Sequence, residues 1–227
     1  MARSPRIDAV VFDLDGLLID TEQLWDEVRE ALVRERGGRW TERAQADMMG
    51  MSSLEWSRYL HDELGLRDPP DVLNRLVVDG MRERYRQGVP LLPGALEAVR
   101  RVDERWPLGL ASSSNRPLID LVLDELAIAD LFRATVSSEE VQRGKPAPDV
   151  YLEAARRLGV AAERCVAVED SAAGIRSAHA AAMAVIAVPN AHFPPPEHVL
   201  SQADVVLRSL DELSADAVES ASARRGR

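Results

Sequence analysis

A near-continuous apolar run, Ile7 to Phe12, ends abruptly in Asp13-Leu14-Asp15-Gly16. A short run rich in β-branched residues and bounded by charge reads as a strand buried on both faces, the condition of a parallel sheet. Similar runs follow at Leu108 to Ala111, Ala134 to Val136, Cys165 to Val168, Ala184 to Val188 and Val205 to Leu207. Helical stretches separate them, over about Gly94 to Glu104, Pro117 to Leu126, Pro148 to Leu158 and Ser171 to Ala182. Strands alternating with helices predict an α/β fold with a doubly wound parallel sheet.

The stretch from Leu18 to Val89 breaks this alternation. It carries helical patterns at Glu22 to Glu35, Thr41 to Met48, Ser53 to Leu64 and Pro70 to Arg86, punctuated by Gly37-Gly38, Gly50, Asp68-Pro69-Pro70 and Gly88 to Pro93. The expected organisation is a core over 1–17 and 90–215, a small all-helical insert over 18–89, and a fraying, disordered tail over 216–227.

A chain of 227 residues suits one α/β core with a small insert. The net charge of -10 argues against a nucleic acid held by charge, and no run is long enough to span a membrane. The single cysteine, Cys165, fits a reducing, cytoplasmic setting and an inert buried thiol. Among 28 basic residues there is one lysine, Lys145, in Arg143-Gly144-Lys145-Pro146. A monomer is expected, with a homodimer as the alternative. His192 and His198, flanking Phe193-Pro194-Pro195-Pro196, lack the companions of a metal site and predict a rigid surface loop.

Ligands of an open parallel sheet bind at the carboxyl ends of its strands. Asp13 and Asp15 follow the first strand here, Ser112, Ser113, Ser114 and Asn115 the second. Lys145 follows the third, and Glu169 and Asp170 the fourth. The chemistry that fits is phosphoryl transfer through an aspartyl-phosphate. Asp13 and Asp15, two apart in extended chain, face the same side, so one attacks phosphorus while the other protonates the leaving oxygen. An anionic nucleophile on an anionic phosphate needs a hard cation. Magnesium held by Asp13, the Asp15 carbonyl and Asp170, with Glu169 holding a metal-bound water, is expected. Lys145 is expected to stabilise transition-state charge, with Ser112 and the Ser113 amide as phosphate donors.

Asp13-Leu14-Asp15-Gly16-Leu17-Leu18-Ile19-Asp20-Thr21 resembles the first motif of the haloacid dehalogenase superfamily. Ala111-Ser112-Ser113-Ser114-Asn115, Gly144-Lys145-Pro146-Ala147-Pro148-Asp149, and Val168-Glu169-Asp170-Ser171 with Gly174-Ile175 resemble the second, third and fourth, in order and at matching spacing up to about Leu213. The resemblance implies a magnesium-dependent enzyme and makes the helical insert look like the cap found between the first two motifs.

Asp15 is absent from the dehalogenase branch, so the resemblance favours a phosphatase. Asp20-Thr21-Glu22-Gln23-Leu24-Trp25 looks like the sugar phosphatase pattern, which includes 2-deoxyglucose-6-phosphate and hexitol phosphatases. In β-phosphoglucomutase a histidine stands at Trp25, and an arginine stands where counting from Gly50 gives Ser53. Asn115 and Arg116 replace the mutase's lysine and asparagine. The expected substrate is a small sugar or sugar-alcohol phosphate, touching Ser113, Asn115, Arg116, Trp25 and Ser53. Met51 and Trp56 are expected to be cap packing. A mutase, or a phosphoglycolate or nucleotide phosphatase, is the alternative.

Overall fold

In the computed structural model, residues 7–48, 51–190 and 193–226 are described. Gly50, the reference point for placing Ser53, and His192 lie outside them.

Six strands form one sheet: β1 Ala9–Phe12, β2 Leu108–Ser112, β3 Phe132–Ser137, β4 Cys165–Glu169, β5 Ala184–Ala187 and β6 Val205–Val206. All neighbours are parallel, in the order β3-β2-β1-β4-β5-β6. β1 lies at the centre, with Val10 paired to Leu108 on one side and Val166 on the other. All four of its residues are buried, which explains the absence of polar alternation.

Successive β1 residues serve opposite cores. Val10 and Phe12 pack with α5 (Ala95–Asp103) and α6 (Arg116–Glu125); Ala9 and Val11 pack with α7 (Asp149–Leu158) and α8 (Ala172–Ala180). The double winding expected from the alternation is present.

Between β1 and α5 run four further helices and, among the described residues, no strand: α1 Glu22–Glu35, α2 Ala44–Met48, α3 Ser53–Asp62 and α4 Pro70–Gln87. On α1, Trp25, Arg29, Leu32 and Val33 are buried at helical spacing. Ser52 opens α3, its backbone N–H donating to Glu55 at 2.8 Å in a capping box. Pro70 starts α4, where its missing N–H costs nothing.

The carboxyl terminus departs from expectation. The small and charged residues over 216–227 predict a fraying tail, but Ala215–Arg225 form a helix, α10, preceded by the short α9 (Glu197–Leu200). The Ser214 hydroxyl accepts the Ala217 N–H at 3.2 Å, and Val218, Ala221 and Ser222 are buried. The small residues that suggest a frayed end let this helix lie close to the sheet. Among the described residues, no helix is long and apolar enough to cross a membrane.

Candidate active site

The order of the sheet reverses between β1 and β4, and the crevice outside their carboxyl ends is where such folds bind ligands. Asp13 leaves β1 there, its N–H donating to Val168 of β4 at 3.0 Å. Glu169 and Asp170 are therefore its neighbours. Ligand oxygens of Asp13, Glu169 and Asp170 lie within 4.8 Å of one another, and all three residues are buried.

One ammonium serves two of these carboxylates. Lys145 Nζ lies 2.8 Å from Asp13 Oδ1 and 2.6 Å from Glu169 Oε1. Burial works against its charge, yet Asp13 and Glu169 together hold it above its ordinary value. Glu169 is occupied further by the Tyr151 hydroxyl at 2.7 Å and by the Ser171 hydroxyl and the N–H groups of Asp170 and Ser171. These contacts fix Glu169 against Lys145 and the turn into α8. Gly174 makes room for it: a Cβ there would meet Glu169 Oε1 at 1.7 Å.

Three buried acids clustered beside one base leave unbalanced negative charge. Burial first, then Glu169, push Asp13 up to about 8 against the pull of Lys145. The same causes push Asp170 well above its ordinary value. Asp170 Oδ1 is buried and has no hydrogen-bond partner. Asp170 is brought in close because Gly16, at φ +80, has no side chain; a Cβ would lie 2.2 Å from Asp170 Oδ2. A buried orphan carboxylate oxygen beside a second carboxylate fits a hard cation.

Asp15 is fixed by four donors. Thr21 Oγ1 at 2.8 Å and Trp25 Nε1 at 3.3 Å reach its Oδ1, and Ser114 Oγ at 2.7 Å and Ser112 Oγ at 3.2 Å reach Oδ2. Ser112, expected as a phosphate donor, is buried behind Asp15 and directed at it. Ser113 and Ser114 line the cavity.

That cavity, of about 520 Å³, is bounded by Asp13, Asp15, Lys145 and Asp170 on the sheet side and by Glu22, Trp25, Arg29, Met51 and Trp56 from the insert. Trp56 and Met51 thus combine packing with lining.

Three expected substrate residues lie elsewhere. Ser53 Oγ at 3.1 Å, Asn115 Nδ2 at 2.6 Å and the Arg116 N–H at 3.2 Å all donate to Glu139. The Arg116 guanidinium pairs with Glu140 and Asp120 and donates to the Thr135 carbonyl. None of the three lines the cavity with Asp13. The cause is Glu139, which gathers them at a seam between insert and core.

Two features are not evident from the sequence. Phe193 to Pro196, expected to form a plain surface loop, border the cavity. Arg29 is buried in the cavity wall, its guanidinium 4.8 Å from the Trp25 ring centroid and 5.0 Å from that of Trp56. The available signal is the spacing Glu22, Trp25, Arg29 along one helix face, which also describes an ordinary charged helix surface.

Fold and site together define a hydrolase of the haloacid dehalogenase class. Residues 7–182 match the haloacid dehalogenase-like hydrolases, and the chain belongs to that family, as one of its phosphatases. It is 36% identical to hexitol phosphatase B of Escherichia coli over 95% of this chain and 98% of that protein. It is 31% identical to the phosphorylated carbohydrates phosphatase of Thermotoga maritima, over 77% of this chain and 82% of that one. CbbY from Rhodobacter sphaeroides superposes with a TM-score of 0.84 at 25% identity, covering 94% of this chain and 99% of that one.

Proposed function

We propose that this chain is a magnesium-dependent phosphomonoester hydrolase working through an aspartyl-phosphate at Asp13 on a sugar or sugar-alcohol phosphate in the cytoplasm. The observation that carries the reading is the Asp13–Lys145 pair at 2.8 Å, opening on a cavity in which Asp15 is separately held. The names of the two relatives support a phosphorylated carbohydrate as substrate.

Asp13 is the nucleophile. One of its oxygens forms a bond to phosphorus as the bond to the sugar oxygen breaks. Asp15 supplies the proton to that oxygen, and later takes one from the water that cleaves the acyl phosphate. To carry a proton, Asp15 must release one of its four donors; Ser112 at 3.2 Å and Trp25 at 3.3 Å make the longest of those bonds. Lys145 faces the charge that builds on the transferring group. Magnesium, held by Asp13, Asp170 and the Asp15 carbonyl, supplies the remaining positive charge when bound. The helices over 18–89 act as the cap: Trp25, Met51 and Trp56 line the cavity, and their closing over a bound substrate would exclude bulk water.

A mutase would need to hold a second phosphate. Arg116, the candidate from sequence, is committed to Glu140 and Asp120 and does not line the cavity, so it is not that group.

The test is phosphate release from hexose 6-phosphates, hexitol phosphates, β-glucose 1-phosphate, phosphoglycolate and nucleotides, with magnesium or chelator. Release strongest on carbohydrate phosphates, dependent on metal and lost in Asp13→Asn, is expected. Normal turnover by Asp13→Asn would refute the mechanism. Conversion of β-glucose 1-phosphate to glucose 6-phosphate without release would make it a mutase.

A further inference from the structure

Arg29 is a buried cation in the cavity wall that the proposed phosphoryl transfer does not use. It is 9% exposed, and its Nε is buried without a hydrogen-bond partner. Among the described residues no carboxylate forms an ion pair with it. The carboxylates that act on it through space are Glu22 and Asp26 of its own helix and Asp15 of the core.

Its setting selects a ligand type. The indole rings of Trp25 and Trp56 lie 4.8 and 5.0 Å from its central carbon. Aromatic faces hold a guanidinium in place without satisfying its N–H groups. The donors stay available at its edge, in the planar fork that matches two oxygens on one carbon or phosphorus. Desolvating such a group with no partner is unfavourable unless an anion completes it. The Trp25 ring also donates to Asp15 at 3.3 Å, so Arg29 stands one indole away from the proposed proton donor.

We propose that Arg29, held against the adjoining Trp25 and Trp56 rings, forms a second anion subsite that binds a carboxylate or second phosphate on the far part of the phosphorylated carbohydrate. The inference rests on the phosphatase reading and narrows its substrate class from neutral sugar phosphates to doubly anionic ones.

Three substrates sharing one six-carbon chain decide it. Glucitol 6-phosphate has a neutral far end, gluconate 6-phosphate ends in a carboxylate, and glucitol 1,6-bisphosphate carries a second phosphate. The expected result is a kcat/KM at least about tenfold higher for one of the anionic compounds than for glucitol 6-phosphate, the scale of a charge-assisted hydrogen bond. Preference for gluconate 6-phosphate identifies a carboxylate; preference for the bisphosphate identifies a phosphate. In Arg29→Gln the ratio of anionic to neutral kcat/KM should collapse toward one, mainly through KM. Wild-type turnover of glucitol 6-phosphate equal to or better than both anionic compounds overturns the subsite and leaves the phosphatase reading standing. Release from none of the three, with metal present, overturns both. If Arg29→Gln does not fold, the wild-type comparison alone decides between these outcomes.

Discussion

Asp13 and Glu169 are buried carboxylates that share a single lysine, with Asp170 buried beside them. Burial and the neighbouring acid push Asp13 from an ordinary 3.8 up to about 8. In metal-free protein its contribution to stability is present below 3.8 and is lost as the pH rises toward 8, because the unfolded chain ionises more easily. A bound cation removes that penalty and must displace the proton. Magnesium should therefore raise the melting temperature more at pH 8 than at pH 6, with affinity rising over the same interval. An equal or larger shift at pH 6 would contradict this charge balance. Gly174 offers a second check. A Cβ there meets Glu169 at 1.7 to 2.0 Å, so Gly174→Ala must move the residue that holds Lys145. A loss of about 1–3 kcal/mol in stability is expected from the overpacking, with a fall in kcat larger than any change in KM. Unchanged kcat would mean that Glu169 does not position Lys145.

Among the elements, α10 is the one whose importance is easiest to underrate. Val218, Ala221 and Ser222 are buried, and the Arg101 side chain donates to the Leu210 and Leu213 carbonyls just before the helix. Truncation after Leu213 should expose the sheet face beneath it and lower the melting temperature by several degrees, as removing one buried Val and its neighbours implies. An unchanged melting temperature would restore the picture of a loose tail. Strands and core helices are legible in the sequence because apolar runs alternating with amphipathic helices admit few architectures. α10 is not, because alanine and serine bury little area and leave a weak periodic pattern. Arg29 is hidden for a related reason: an arginine between acidic neighbours on a helix normally faces solvent. Here its guanidinium lies against two indole rings, Trp25 and Trp56, which come together through the fold of the insert.

Across the whole molecule, the contacts between insert and core include two that bear on the site. Thr21 and Trp25 grip Asp15, while Ser53 and Asn74 meet Glu139 and Asn115 at the seam. The cavity lies on the Asp15 side, walled by both parts. The four motifs are legible because their residues leave neighbouring strands of one sheet, so chain order alone gathers them. Asn115, Arg116 and Ser53 lie at the seam and not in the cavity wall, which the sequence does not reveal because backbone position does not say which way a side chain turns, and Glu139 draws all three together. The proposed chemistry is covalent: phosphate passes through Asp13. An acyl phosphate is reduced by borohydride to an alcohol, which would leave homoserine in place of aspartate. The decisive measurement is peptide mass spectrometry after borohydride quenching during turnover of a hexitol phosphate with magnesium. Homoserine at position 13, absent with chelator or without substrate, is the expected result. Steady phosphate release with position 13 never converted, or conversion at another acid, would contradict the account.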